Sequence, residues 1–188
     1  ANNSVAFKGK PEMGTFMREW TSLYESKSGE RGIFNRQAAK VKALENGRRD
    51  ADYYFGCNPC SEIILRPYQF CNLTEVVARV TDTVDTLKEK VRMATILGTF
   101  QSTLTNFKYL RKVWKDNTEE ERLLGVSLTG ILDCPVLNNT YYELGDVLEQ
   151  LRHVAVETNK KMAKDLGIPQ STAITCIKPS GTVSQLVD

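Results

Sequence analysis

Asn58, Cys60 and Glu62 stand at alternate positions within Gly56-Cys-Asn-Pro-Cys-Ser-Glu-Ile-Ile-Leu65. Alternate residues share a face wherever the backbone is extended. An extended 58–62 would therefore turn an amide, a thiol and a carboxylate toward one small ligand. Singly, these residues have plainer readings: Asn58-Pro59 as a turn, Glu62 as a solvated charge, the cysteines as small apolar side chains. Only the constellation points to chemistry.

The chain carries five cysteines, Cys57, Cys60, Cys71, Cys134 and Cys176, an odd number at irregular spacing. That pattern fits a reducing compartment with transient disulfides better than a secreted disulfide framework. Cys57-x-x-Cys60 also has the spacing of half a zinc site or of a thiol–disulfide oxidoreductase. Zinc would need two more ligands, and the one histidine, His153, is far away in sequence. A redox pair would sit in a compact βαβ setting, which the surrounding sequence lacks. Cys134 and Cys176 are expected to be buried thiols.

The elements that must position these groups are partly legible. Ser4-Val-Ala-Phe7 reads as a short strand, and Met13, Phe16, Met17, Trp20, Leu23 and Tyr24 recur at helical spacing after Pro11. Ile33-Phe34 is a brief apolar island, and residues 37–52 suggest a loop or surface helix. From Val84 to Trp114 an apolar residue returns every three or four positions, with Gly98 as the weak point. Two long helices or one bent helix would satisfy it. Another helix is expected from about Tyr142 to Leu166, stopped by Gly167 and Pro169, with Tyr141-Tyr142 as ordinary packing at its start. Leu123–Leu128 and Ala173–Ile177 have strand character. Strand, helix and strand in alternation favour an α/β fold with parallel strands.

At 188 residues and 41% hydrophobic, the chain has the composition of a soluble globular protein. Its 25 basic and 23 acidic residues are spread along the chain, without the basic stripe that polymeric nucleic acid requires. No apolar run approaches the ~20 residues of a membrane span, and Ala1-Asn2-Asn3 does not begin a signal peptide. A cytoplasmic protein is expected, with both ends reading as cuts in a longer chain.

Asn58-x-Cys60-x-Glu62 resembles the Asn-x-Cys-x-Glu motif of ribonucleotide reductases, which lies on a finger loop inside a ten-stranded α/β barrel. Cys71 follows Cys60 after eleven residues, the interval of the monomeric adenosylcobalamin-dependent members. Arg122-Leu-Leu-Gly-Val-Ser-Leu-Thr-Gly130 and Lys178-Pro-Ser-Gly-Thr-Val-Ser184 also look like segments of that family. Residues 1–188 would then be part of the catalytic barrel, with a finger loop at about 53–73 and a substrate-phosphate loop at about 178–184. Ser61 stands where many members have glycine, and Cys57 is a thiol the motif does not call for.

Carried across by that resemblance, Cys60 is the thiyl radical that removes the 3′ hydrogen of the ribose. Glu62 is the base for the 3′-hydroxyl proton, and Asn58 orients the sugar hydroxyls. Cys71 is one of two thiols that reduce the 2′ carbon and end as a disulfide. Ser180, Gly181, Thr182 and Ser184 hold the substrate phosphates, at a strand-to-helix junction where free N–H groups suit an anion. The resemblance implies adenosylcobalamin as cofactor, a ribonucleoside triphosphate as substrate and a thioredoxin-like reductant. It also implies a remainder, or a second chain, supplying the partner of Cys71, the cobalamin surface, the specificity site and the shuttle cysteines. The alternatives are a thiol–disulfide oxidoreductase using Cys57 and Cys60, and a non-catalytic interaction fragment.

Overall fold

Alternating strands and helices run through the chain in a computed structural model that describes residues 4–29, 31–138, 143–179, 181 and 183–187. They form two compact units, 1–67 and 68–188. Among the described residues no helix is long and apolar enough to cross a membrane.

In the first unit, strand β1 (Val5–Phe7) pairs in parallel with β2 (Ile33–Asn35), so the apolar island at Ile33-Phe34 is a strand. Between them runs α1 (Met13–Ser26), the amphipathic helix expected there. Helix α2 (Arg36–Leu44) follows β2 directly and resolves the loop-or-helix ambiguity of 37–52. It starts there because Asn35 Oδ1 accepts the N–H groups of Gln37 and Ala38, an N-cap that satisfies donors the first turn leaves open. Ala39 and Ala43, one turn apart, bury against Ala51 and Phe55. A two-residue hairpin ladder, β3 (Gly56–Cys57) with β4 (Ile64–Leu65), closes the unit.

The second unit is a layered α/β structure. Strand β5 (Asn72–Val77) pairs in parallel with β6 (Leu124–Thr129), and Thr175 adds a parallel bridge to Val126 on the other side of β6. The parallel arrangement is as expected, but Ala173–Ile177 contributes that single bridge and not a full strand. Helix α3 (Val84–Gln101) opens with a reciprocal Thr83–Thr86 capping box. Of the predicted run to Trp114, only the part to Gln101 forms one long helix; 102–111 are turns and coil, and Trp114 belongs to a second helix. Hydroxyls of Ser102 and Thr103 bond back to the carbonyls of Thr99 and Phe100, and the chain turns before α4 (Lys112–Glu121). Gly98 lies inside α3, where a Cβ would stand in ordinary contact with Leu124 and Thr74.

After the short α5 (Pro135–Asn138) comes α6 (Leu144–Leu166), ended by Gly167 at φ 65° as its left-handed cap. Tyr141 and Tyr142 lie outside the described residues. Val147, Leu151 and Ala155 of α6 join Leu87, Val91 and Ala94 of α3 over Val76, Val126 and Leu128 of the sheet in one core. Those strand positions face the helices, so by alternation Leu73, Glu75, Val77, Gly125, Ser127 and Thr129 face the other way.

Candidate functional site

The segment 58–62 is a turn and not an extended strand, which corrects the route by which its side chains meet. Asn58 O accepts the Ser61 N–H at 3.0 Å, and Asn58 N–H donates to Ile63 O at 3.2 Å. Ser61 adopts φ 65°, the left-handed region that suits glycine. The hairpin strands β3 and β4 on either side fix the ends of the turn.

Asn58 and Glu62 meet across it. Asn58 Nδ2 donates to Glu62 Oε1 at 2.5 Å, while Asn58 Oδ1 accepts the Ile63 N–H at 3.0 Å. The carboxylate is held by the amide through the fold of the turn, with Cys60 at its exposed crest. Cys57 lies half-buried with its Sγ 3.5 Å from Ser61 Oγ.

The base of the hairpin is braced by cations on rings and carbonyls. Arg49 Nη1 donates to Ile64 O at 2.8 Å, and its guanidinium stands 4.8 Å from the centre of the Phe55 ring. The Arg66 guanidinium stacks 3.5 Å over Tyr53. Such contacts restrict long side chains and fix the strands that carry the turn.

Cys71 belongs to the second unit, half-buried one residue ahead of β5. Its approach is pinned on α4. Gln69 Nε2 donates to the fully buried Glu121 at 2.5 Å, Asn117 Nδ2 donates to Tyr68 O at 3.2 Å, and Phe70 stacks on Trp114 at 4.6 Å. On the other side, Asn72 N–H donates to Leu123 O at 2.9 Å and begins the ladder.

Of the proposed phosphate-loop residues, Gly181 and Ser184 are described, while Ser180 and Thr182 lie outside the described residues. Gly181 has φ 51°, and Ser184 Oγ donates to Gly181 O at 3.1 Å. Helix α7 (Val183–Leu186) follows, only four residues long. The loop's start is tied to the sheet, since Lys178 N–H donates to Ser127 Oγ at 2.9 Å.

That tie reveals a group that residue types and spacing did not single out. Glu75 stands opposite Ser127 in the β5–β6 register. Burial pushes its carboxyl above the ordinary value, opposed by the Ser127 hydroxyl and the Lys178 ammonium. The signal available in sequence was the alternation of Leu73, Glu75 and Val77, which places a carboxylate on the strand face away from the helices.

No disulfide joins any of the five cysteines, and among the described residues no cluster of three or more His, Cys, Asp or Glu could hold a metal. Cys134 is fully buried, as expected. Cys176 is only half-buried and lines an apolar cleft of about 280 Å³ with Leu148 and Arg152.

Known proteins resemble this chain over nearly its whole length. It is 28% identical over 214 residues to the adenosylcobalamin-dependent ribonucleoside-triphosphate reductase of Lacticaseibacillus paracasei, covering 99% of this chain and 28% of that protein. It is 31% identical over 137 residues to the probable adenosylcobalamin-dependent ribonucleoside-triphosphate reductase of Dictyostelium discoideum, covering 70% of this chain and 17% of that protein. The crystal structure of a B12-dependent (class II) ribonucleotide reductase matches 98% of this chain and 29% of its own at 23% identity, with a TM-score of 0.67. That likeness shows an α/β fold shared with part of the reductase. No protein-family model matches the chain. The chain spans under a third of the length of these relatives.

Proposed function

We propose that this chain is a segment of the catalytic subunit of an adenosylcobalamin-dependent ribonucleotide reductase acting on ribonucleoside triphosphates. The observation that carries the reading is the alignment of 99% of the chain with 28% of such a reductase. In its support, the Asn58–Glu62 pair brackets an exposed Cys60 on a hairpin turn. Residues 1–188 would form part of a ten-stranded α/β barrel, with 53–73 as its finger loop and 178–184 as its phosphate loop. A cytoplasmic location fits five cysteines outside any disulfide.

Each side chain then has a role its chemistry suits. Cys60, as a thiyl radical, takes the 3′ hydrogen of the ribose and returns it at the end of the cycle. Glu62 takes the 3′-hydroxyl proton, and Asn58 holds that carboxylate while its amide addresses the sugar hydroxyls. Loss of the 2′-hydroxyl as water leaves a carbon that two thiols reduce by two electrons, closing a disulfide. Cys71 is one of them, and its partner lies in the remainder of the reductase. Gly181 and Ser184, with Ser180 and Thr182, receive the substrate phosphates. A thioredoxin-like dithiol reopens the disulfide.

Adenosylcobalamin, when bound, supplies the radical that oxidises Cys60. The exposed thiol on a turn suits that exchange, and the corrin itself is held by residues of the remainder.

The test uses the complete reductase that contains this segment. Cys60→Ser abolishes reduction of a ribonucleoside triphosphate while nucleotide binding persists, and turnover by the variant would sink the assignment. Anaerobic addition of adenosylcobalamin gives a cob(II)alamin signal coupled to a thiyl radical in electron paramagnetic resonance. A requirement for diiron instead overturns the cofactor. After one turnover without reductant, mass spectrometry finds Cys71 bonded to a cysteine outside these 188 residues. A Cys57–Cys71 bridge contradicts the assigned pair.

A further inference from the structure

Away from the 58–62 turn, the first unit has a cleft of about 330 Å³ whose walls include Lys8, Arg36, Gln37, Lys40, Asp52 and Tyr54. Three of these side chains are cationic and one is a carboxylate. Asp52 is engaged with Lys40 at 3.5 Å, at the weak end of an ion pair. Lys8 and Arg36 have no carboxylate partner among the described residues.

Both cations address one ring. The Arg36 guanidinium lies 4.0 Å from the Tyr54 ring centre and Lys8 Nζ lies 5.7 Å from it. Two positive charges gathered at one aromatic ring repel each other, and the ring quadrupole offsets only part of that. Arg36 is also fixed and not free to swing away. Its Nε donates to Phe55 O at 2.9 Å and its Nη1 to Ala6 O at 3.4 Å. Neither acceptor is charged, so these contacts bring no anion beside the guanidinium. The half-exposed Tyr54, at 54% of its free area, leaves this arrangement open to solvent. A held guanidinium with a flexible ammonium beside it in a concave site is suited to phosphoryl oxygens, the fork giving direction and the lysine adding charge.

We propose that the Lys8–Arg36–Tyr54 cleft is a binding site for a phosphate-bearing anion, with Arg36 and Lys8 as the phosphate ligands and Lys40 as a peripheral cation. The bound anion removes the Lys8–Arg36 repulsion. The site shares no residue with the proposed substrate-phosphate loop at 178–184, and binding there is read without turnover. The result therefore leaves the reductase assignment untouched whichever way it falls.

The experiment is calorimetric titration of the 188-residue chain with inorganic tripolyphosphate, ATP and adenosine, at low and physiological ionic strength. Saturable binding of tripolyphosphate and ATP is expected, with none for adenosine. Equal affinity for the two would place recognition in the phosphates alone, and tighter ATP binding would place a nucleotide there. Lys8→Gln, at an exposed position that carries no backbone contact, should weaken binding roughly tenfold, as expected when one charge-assisted hydrogen bond is removed. Arg36→Lys, which keeps charge but loses the fork, should weaken it by a similar factor with the fold unchanged by circular dichroism. Lys27→Gln, on the C-cap of α1, should have no effect. The proposal is overturned if the wild type shows no saturable binding. It is equally overturned if adenosine binds as well as ATP, or if Lys27→Gln weakens binding as much as Lys8→Gln.

Discussion

Asn58 holds Glu62 across the hairpin turn at 2.5 Å and with its other side-chain atom holds the Ile63 N–H at 3.0 Å. One amide thereby couples a carboxylate to the backbone that presents Cys60.

Under the reductase reading, Glu62→Gln should lower kcat by about 10²–10⁴, the usual contribution of a positioned base, with little change in KM. The glutamine keeps the shape and can still accept from Asn58 through its carbonyl oxygen, so the turn persists. Steady-state kinetics on the complete reductase check it, and a wild-type rate would remove Glu62 from the mechanism.

Ser61→Gly should stabilise the first unit by a few tenths to about 1 kcal/mol. Relief of a left-handed non-glycine residue is worth roughly 1–2 kcal/mol, and the added chain entropy of glycine offsets about 0.5–1 of it. Glycine also forgoes the approach of Ser61 Oγ to Cys57 Sγ, which at 3.5 Å is a weak interaction. Urea denaturation of the two proteins decides, and a destabilised glycine variant would mean that the hydroxyl matters more than the backbone.

What the sequence made legible follows from which forces are local. α1, α3 and α6 are long enough for a 3.6-residue period to stand out, and the Gly167 stop acts through its own φ. The site residues of the 58–62 turn were identifiable by type, but their geometry was not. A left-handed serine has no signature, and Asn58 meets Glu62 through a fold-back where alternation implied an extended strand. Strands β3 and β4 are two residues each, too short for any period, and depend on one another. β5 was hidden because its partner is some fifty residues on, so that pairing Asn72 with Leu124 is a property of the fold. Glu75 went unnoticed for the same reason, since its neighbours Ser127 and Lys178 come from other parts of the chain.

Glu75 gives a pH test. Burial raises its carboxyl above the ordinary 4.5. An acid with a higher pKa folded than unfolded supports the folded state while protonated, and that support is lost as pH rises through the folded value. Glu75→Gln stays neutral throughout. The variant should therefore gain on the wild type as pH rises above the ordinary carboxyl value and through the raised folded value, and converge with it at the acid end. Denaturation at stepped pH measures the gap, and a gap independent of pH would contradict the assignment to this carboxyl.

Gly130→Ala should cost roughly 2–4 kcal/mol or prevent folding of the second unit. Gly130 closes β6 at φ 74°, and a Cβ there would stand 2.2 Å from Ala78 O. The obstacle is backbone, and Ala78 is itself fixed by its N–H bond to Thr129 O at 2.9 Å, so neither side can yield cheaply. Expression and thermal melting provide the check, and a melting temperature equal to wild type would show that the two strand ends can part.

Asn159 is the deepest polar side chain of α6, 1% exposed, and it joins three elements. Its Nδ2 donates to Thr99 Oγ1 of α3 and to Ser171 Oγ, both at 3.0 Å, and its Oδ1 accepts the Ser171 N–H at 3.0 Å. Asn159→Leu fills the same volume but strands the Ser171 N–H without its acceptor, a cost of about 1–3 kcal/mol for one buried donor, before the hydroxyls are counted. Asn159→Asp keeps the acceptor for Ser171 but cannot donate to Thr99, and it buries a charge. It should therefore be destabilised at neutral pH and recover as the carboxyl is protonated. Hydrogen exchange at the Ser171 amide separates the two. Protection falls in the leucine variant at every pH and in the aspartate variant chiefly above its pKa. Unchanged protection in both would mean that the turn after α6 is held by packing, with Ala163 and Gly167, and not by this amide.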